Sequence, residues 1–364
     1  MQQNKTRLSG IDLFRGIAAY AVVVLHSRPD PSLASGYWGA KLLILANFAV
    51  PFFLAISFYL AIAKAYSQQK FTSLKTRFLR LFIPYIFWSC LYLFIRIGKY
   101  LISGQIERIS GLFSDPVGLM FCGGAAVQLY FLPLLFTGTC LLKPAEFLIQ
   151  KGIKLKWLLL IFTGSILLYE LILTTQNGFQ IGGNIAFKNL LDEFFPTGNI
   201  NPLVRIPTII LAWMIRCLPY ILLAMILHHP SFNSLISRFN SKHITNIYGF
   251  LLVVILIGTQ FLPFLPGAFR EITIAYTSLL LAIYLSKNLP EKPIITELGL
   301  CSFGIYLMHH LTLEFLFILG AKIYPPLQTA VSITTLLIYS IPGFFLTWLA
   351  ISKLKQNRYF TSLM

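Results

Sequence analysis

The sequence predicts an all-α, polytopic integral membrane protein with about ten transmembrane helices. Hydrophobic residues make up 57% of the 364 residues and charged residues only 11%, whereas about a quarter of a typical soluble chain is charged. The mean hydropathy is +0.75. Apolar runs of about 17–25 residues, the length that crosses a bilayer as a helix, recur along the whole chain.

The apolar runs define the predicted helices. The connections between them leave no room for a soluble domain, so residues 1–364 are expected to form a single membrane domain with no appended soluble domain. The runs cover residues 11–27, 42–63, 80–102, 124–142, 157–174, 206–227, 245–263, 268–286, 299–319 and 327–351.

The positive charge of the chain is explained by membrane topology. The formal net charge is +17, which taken alone would make nucleic acid a candidate partner. The basic residues concentrate in short loops on one predicted side, such as 66–80 and 143–157, as the positive-inside rule describes for cytoplasmic loops. Both termini are therefore predicted to be cytoplasmic, and no nucleic-acid partner is expected.

The cysteines indicate neither disulfides nor a metal site. There are five, an odd number, and most of them fall inside predicted helices. No CxxC pair and no Cys/His spacing typical of zinc ligands is present. The sequence therefore predicts no metal site.

The first apolar run carries three ionisable side chains on one helical face. In "GIDLFRGIAAYAVVVLH" (10–26), Arg15 and His26 are eleven positions apart, which corresponds to about three helical turns and an axial rise of about 16 Å. Asp12 is three positions before Arg15 and within pairing distance of it. Such groups at membrane depth favour a bundle interior or a wet cavity. A simpler interpretation remains open, in which Asp12 and Arg15 pair at the interface and His26 snorkels.

Other polar residues in the predicted helices are weaker candidates. Glu170 lies in the fifth run, and His309, His310 and Glu314 lie in the ninth. His310 and Glu314 are four positions apart and can pair on one helix face. These side chains either line the same wet cavity or satisfy neighbours in the bundle. The long outer connection 174–203 is a candidate wall of a polar site.

The first run also carries a family resemblance. Its Arg15 and His26, separated by ten residues, resemble the N-terminal signature of the acyltransferase-3 family of membrane O-acyltransferases. The segment "FAVPFFLAISFYL" (48–60) resembles the second-helix segment of that family, with Ser57 followed by Phe58 where the family has glycine.

Three further segments match the family in order. "TRFLRLFIPYIFW" (76–88) resembles the start of its third helix and contains Arg77 and Arg80. "VQLYFLPLLF" (127–136) is similar to a Leu-Trp-Phe-Leu segment, with Tyr130 in place of tryptophan. "LGLCSFGIYLMHH" (298–310) is similar to a late-helix pattern that comprises Ser302, Tyr306 and His309.

The resemblance implies a bacterial plasma-membrane enzyme that transfers an acyl group, usually acetyl, from cytoplasmic acetyl-CoA to a hydroxyl of an envelope glycan or lipid-linked sugar. It assigns catalysis to His26, either as a base or as a transient acyl carrier, with Arg15 essential beside it. Because Arg15 and His26 cannot reach one atom, Arg15 is expected to have a positioning role. No permanently bound cofactor is implied. Supporting candidates are Asp12, Ser57, Tyr130, Glu170, Ser302, Tyr306, His309 and Glu314.

Arg77 and Arg80 fall at the cytoplasmic mouth of the third helix, and guanidinium groups suit the phosphates of coenzyme A. Without the resemblance, they would be interpreted as ordinary positive-inside residues. With the resemblance, they are the predicted coenzyme A site.

Two other functions remain open at this point. The same scaffold would serve succinyl-CoA or another acyl donor. A transporter of glycans or small solutes would use the same polar stripe, but it would move its substrate without breaking a thioester bond.

Overall fold

The structure is a computed structural model of the chain. It describes residues 8–30, 32–68, 73–175, 186, 187, 189, 191, 193, 202–237, 242–262, 264–357, 360 and 363. Regular structure in these residues is helical, and β structure is limited to an isolated parallel bridge between Ser35 and Val331. The helices are α1 (Ser9–His26), α2 (Tyr37–Ala46), α3 (Ala49–Gln68), α4 (Leu74–Ile102), α5 (Glu107–Leu112), α6 (Pro116–Phe121), α7 (Phe131–Cys140), α8 (Leu142–Gln150), α9 (Leu155–Thr174), α10 (Pro202–His228), α11 (Pro230–Ser237), α12 (Lys242–Phe261), α13 (Gly267–Ser286), α14 (Pro293–Ile323) and α15 (Ile333–Leu354).

The all-α polytopic prediction is confirmed. Among the described residues, 9 helical segments are long and apolar enough to cross a membrane, and each overlaps one of the predicted runs. The remaining run, 245–263, corresponds to α12, whose apolar part Ile247–Phe261 is shorter.

The chain divides into two compact units. Unit 1 comprises Met1–Ile56, Asn240–Leu265 and Arg270–Met364, and unit 2 comprises Ser57–Phe239 and Pro266–Phe269. The prediction of a single domain over 1–364 remains a prediction.

Unit 1 is organised around α1, α14 and α15. Most of α1 is buried, because small residues such as Ala18 and Ala19 let neighbouring helices approach. The first turn of α1 packs closely on α13, where Gly10 N donates to Ser286 Oγ at 3.0 Å. A side chain at Gly10 would overlap the backbone carbonyl of Ala282, so this crossing requires glycine.

Helices α1 and α14 run in the same direction. Asp12, near the start of α1, packs on Gly299 in the second turn of α14, and His26, at the end of α1, contacts His309 and His310 further along α14. Two spans with the same direction must be separated by an odd number of crossings. Six of the 9 apolar segments found in the described residues lie between them; with α12 counted as a further crossing, the number between them is odd and the total is the ten predicted spans.

Helix α15 returns antiparallel to α14. Thr312 and Thr347 share a hydrogen bond of 2.5 Å, and Ser352, near the end of α15, donates to Glu297, near the start of α14. The start of α1 and the end of α15 therefore lie at the same end of unit 1. This agrees with both termini on one side of the membrane; the assignment of that side to the cytoplasm remains a prediction.

Unit 2 packs α4, α7, α9 and α10 against one another. Helix α10 is interrupted by Pro207 and Pro219, which each remove a backbone donor from the helix. Gly138 in α7 allows close packing, since a methyl group there would lie 2.5 Å from Phe58 Cζ and 2.7 Å from Cys217 Sγ. Phe58, the residue that stands where the family has glycine, is thereby accommodated by a glycine on the neighbouring helix.

Candidate functional site

The N-terminal end of α1 holds Asp12 and Arg15 together. Asp12 is in the first turn of α1, where a carboxylate is stabilised by the helix dipole. Its Oδ1 lies 3.9 Å from Arg15 Nη1, with 6% of the Asp12 side chain and 32% of the Arg15 side chain exposed. The predicted pairing is therefore present as a long ion pair, and Arg15 remains accessible to a ligand.

Arg15 and His26 lie on one uninterrupted helix, because α1 runs without a break over Ser9–His26. The predicted axial separation of about 16 Å consequently holds. One reacting atom cannot contact both side chains, which is consistent with a positioning role for Arg15.

The C-terminal end of α1 is the place where three imidazoles come together. The ring centroid of His26 lies 5.2 Å from that of His309 and 4.5 Å from that of His310. The rings of His309 and His310 are 5.0 Å apart. Each histidine offers a ring nitrogen, and these nitrogens all lie within 4.8 Å of one another. We refer to His26, His309 and His310 as the histidine cluster.

Within the cluster, His309 is fixed by the backbone of α14. Its side chain is completely buried, and its Nδ1 lies 2.8 Å from the carbonyl oxygen of Tyr306 and 3.2 Å from that of Ile305. A carbonyl can only accept, so Nδ1 carries the proton and Nε2 carries the lone pair. Nε2 is buried and has no hydrogen-bond partner among the described residues.

The other candidates on α14 surround this histidine. Tyr306 is buried, and its ring lies 6.3 Å from that of His309. Ser302 is also buried and donates to the carbonyl oxygen of Gly299 at 2.8 Å, so its hydroxyl is occupied by the helix backbone. Glu314 is half-buried one turn beyond His310.

In unit 2, Arg77 and Arg80 lie in the first two turns of α4; their predicted location on the cytoplasmic side remains a prediction. Arg77 is half-buried and Arg80 is exposed. Two cations at a helix N-terminus oppose the helix dipole, whereas a bound anion there would be stabilised both by guanidinium groups and by free backbone N–H groups. Their position therefore suits an anionic ligand.

An apolar cavity of about 500 Å³ lies in unit 2. Its lining begins with Phe78, the residue after Arg77, and continues along α4 with Leu81 and Tyr85. Phe136 of α7 and Trp213 of α10 contribute to the other walls. An almost wholly apolar lining suits a hydrocarbon chain better than a sugar.

Glu170 has a structural role that the sequence did not show. Its two carboxylate oxygens accept from the backbone N–H groups of Gly267 at 3.1 Å and Ala268 at 2.7 Å. These residues open α13, so Glu170 satisfies two of the donors that a helix N-terminus leaves unpaired. Both oxygens are engaged in this cap, which argues against a direct chemical role.

Ser57 and Tyr130 are both half-buried in unit 2. Ser57 lies within α3, and Tyr130 ends the 3₁₀ turn Val127–Tyr130 just before α7. The candidate wall 174–203 falls mostly outside the described residues.

Sequence analysis missed two features. The histidine cluster joins residues from two helices that are far apart along the chain. The adjacent pair His309 and His310 was the one feature of the sequence that pointed to it. The sequence predicted no metal site, whereas three potential ligands converge here. The second feature is an ion pair in which Arg205 donates to both carboxylate oxygens of Asp115, at 2.7 and 2.8 Å.

Comparison with known proteins gives one family. A family model described as an acyltransferase domain, that of the acyltransferase-3 family, matches residues 8–351. Neither the search of curated proteins nor that of solved structures gives a match.

Proposed function

The chain belongs to the acyltransferase-3 family and is a membrane acyltransferase; from this premise we propose that it transfers an acetyl group from cytoplasmic acetyl-CoA to a hydroxyl of an envelope glycan or lipid-linked sugar. The membrane is then the bacterial plasma membrane. The observation that carries the proposal is the placement of His26, which ends the largely buried helix α1 beside two further imidazoles.

His26 supplies the chemistry that this transfer requires. A sugar hydroxyl is a weak nucleophile, and a neutral imidazole can accept its proton as it attacks. The alkoxide oxygen then attacks the thioester carbonyl, the C–S bond breaks, and the thiolate of coenzyme A takes the proton back from His26.

A second route uses His26 as an acyl carrier. Its ring nitrogen attacks the thioester, coenzyme A leaves, and the sugar hydroxyl then displaces the imidazole. The two routes differ in one observable: an acyl carrier releases up to one equivalent of thiol before any acceptor is added, whereas a base does not.

Arg77 and Arg80 are proposed to bind the phosphates of the donor. Arg15 is proposed to hold the thioester arm along the polar face of α1. These roles are supported by the anion-favouring position of the arginines in α4 and by the partial exposure of Arg15.

The test measures free thiol and acetyl ester with purified protein, acetyl-CoA and an envelope-glycan extract. We expect the parent to form both products and His26→Ala to lose at least about 100-fold of the rate, the usual contribution of a general base. His229→Ala is the matched control, because His229 contacts the Ile153 carbonyl of unit 2 and lies outside the cluster. Equal rates for the parent and His26→Ala would exclude a catalytic His26, and substrate movement without thiol release would indicate transport.

The apolar cavity favours a second candidate donor, an acyl-CoA with a longer hydrocarbon chain. A charged succinyl group would be disfavoured in such a lining. Comparing acetyl-, succinyl- and octanoyl-CoA in the same assay tests this. Thr137→Phe, which adds volume at the cavity wall, should slow the octanoyl donor selectively, and an equal effect on the acetyl and octanoyl donors would rule out chain binding there.

A further inference from the structure

The histidine cluster has the composition of a transition-metal site. All three ligand groups are imidazoles, which suit zinc, copper, nickel and iron, whereas magnesium and calcium prefer oxygen ligands. Three histidines with an open fourth position are a known arrangement around zinc.

His309 provides a second, independent indication of a ligand. Its buried Nε2 has no hydrogen-bond partner among the described residues, and a buried acceptor that is left unsatisfied is unfavourable. Its Nδ1–H is held by the Tyr306 carbonyl. Metal-bound histidines are typically oriented in this way, with the second ring nitrogen donating to a carbonyl.

The spacing of the cluster is close to that of a bound site. Zinc–nitrogen bonds of about 2.1 Å at tetrahedral angles place ligand nitrogens about 3.4 Å apart. The observed upper limit of 4.8 Å therefore needs a contraction of about 1.4 Å. His26, at the last residue of α1, and His310 are both half-buried, so rotation of these two rings can bring their nitrogens closer while His309 stays fixed.

We propose that His26, His309 and His310 bind one divalent metal ion of the zinc class, and that its occupancy suppresses acyl transfer. The suppression of acyl transfer rests on the proposed function, because a metal-coordinated His26 nitrogen has no lone pair left to accept a proton or an acyl group. The binding of the metal ion does not depend on the proposed function.

The binding experiment uses chelator-treated full-length protein in detergent, titrated with Co²⁺ as a spectroscopic probe and with Zn²⁺ against a fluorescent chelator. We expect one ion per chain, the visible absorption bands of tetrahedral Co²⁺, and displacement of Co²⁺ by Zn²⁺. His309→Ala and His310→Ala should each weaken binding at least about 10-fold, and His229→Ala should not.

The variants need a folding control. His309→Asn keeps a polar side chain of smaller size and should elute as the parent does in size-exclusion chromatography while losing the Co²⁺ bands. Absence of these bands in the parent, or equal affinity in the parent and folded His309→Asn, would overturn the site.

The activity experiment addresses suppression. Zn²⁺ at saturating concentration should reduce thiol release from the parent at least about 100-fold, the loss expected when the general base is blocked, and chelator should restore it. If the zinc-loaded protein is fully active, or if transfer requires zinc, the proposed suppression is wrong, but the metal site still stands. If the metal-free protein binds zinc but shows no transfer with any donor, the proposed function fails and the metal site stands.

Discussion

The carboxyl group of Asp12 occupies the space that a side chain at position 299 would fill. A methyl group on Gly299 would lie 2.6 Å from both Cβ and Cγ of Asp12. Because Cβ is fixed to the backbone, Asp12 cannot yield by rotation alone. The spacing between α1 and α14, and with it the register of His26 against His309, therefore depends on Gly299.

Gly299→Ala should destabilise the protein and slow acyl transfer. Overpacking of this kind costs about 1–3 kcal/mol, which lowers the melting temperature of a large chain by about 2–10 °C. Thermal unfolding in detergent measures the change. The control is Gly164→Ala in α9, where nothing lies within 4 Å of the added methyl group. Equal melting temperatures for the parent and Gly299→Ala would contradict the close contact.

His309→Ala should reduce kcat while leaving KM for acetyl-CoA unchanged. His309 is fixed at Nδ1 by the Tyr306 carbonyl and contacts the ring of His26, so it acts as a positioning residue for that ring. Misplacement of a catalytic group by about 1 Å is sufficient for a loss of 10-fold or more. Steady-state kinetics separates the two constants. A rise in KM with unchanged kcat would place His309 in donor binding instead.

The helices and the register within α1 could be predicted from the sequence because both depend on local patterns. Apolar length identifies the spans, and the spacing of Arg15 and His26 follows from helix geometry once α1 is continuous. The resemblance pointed to His309 as well, but as a member of a motif rather than as a neighbour of His26.

The contacts between helices could not be predicted, because hydropathy does not specify which helices are adjacent. The pairing of the first and ninth spans, which creates the histidine cluster, is a property of packing. The case of Glu170 is similar. A carboxylate within an apolar run indicated a buried polar group, but its partners are backbone N–H groups at Gly267 and Ala268, which leave no signature in the side-chain pattern.

Arg77→Ala should raise KM for acetyl-CoA at least about 10-fold, the equivalent of one charge-assisted hydrogen bond to a phosphate. The KM for S-acetyl-pantetheine, which lacks the nucleotide phosphates, should not change. Comparing the two donors isolates phosphate recognition from any general damage to α4. Lys99→Ala, in the last turn of the same helix, is the matched control. Equal effects on both donors would show that Arg77 does not contact the phosphates.

Asp115→Asn should destabilise unit 2 at neutral pH, with an effect that disappears in acid. Hydrogen bonds from Arg205 hold the pKa of the Asp115 carboxyl below its ordinary value, so the pair stabilises the fold above the unfolded-state pKa of about 3.9 and loses this contribution as the pH falls through the lower folded-state value. Asparagine retains an oxygen that can accept from Gly118 N, as Asp115 Oδ1 does at 2.9 Å, and thus removes mainly the ion pair.

Melting temperatures of the parent and Asp115→Asn should differ at pH 7, by the equivalent of about 2 kcal/mol, and converge toward pH 3. Glu291→Gln, on an exposed loop, should leave the pH 7 melting temperature unchanged. A difference for Asp115→Asn that is the same at both pH values would mean that the charge of Asp115 is not what stabilises this part of the protein.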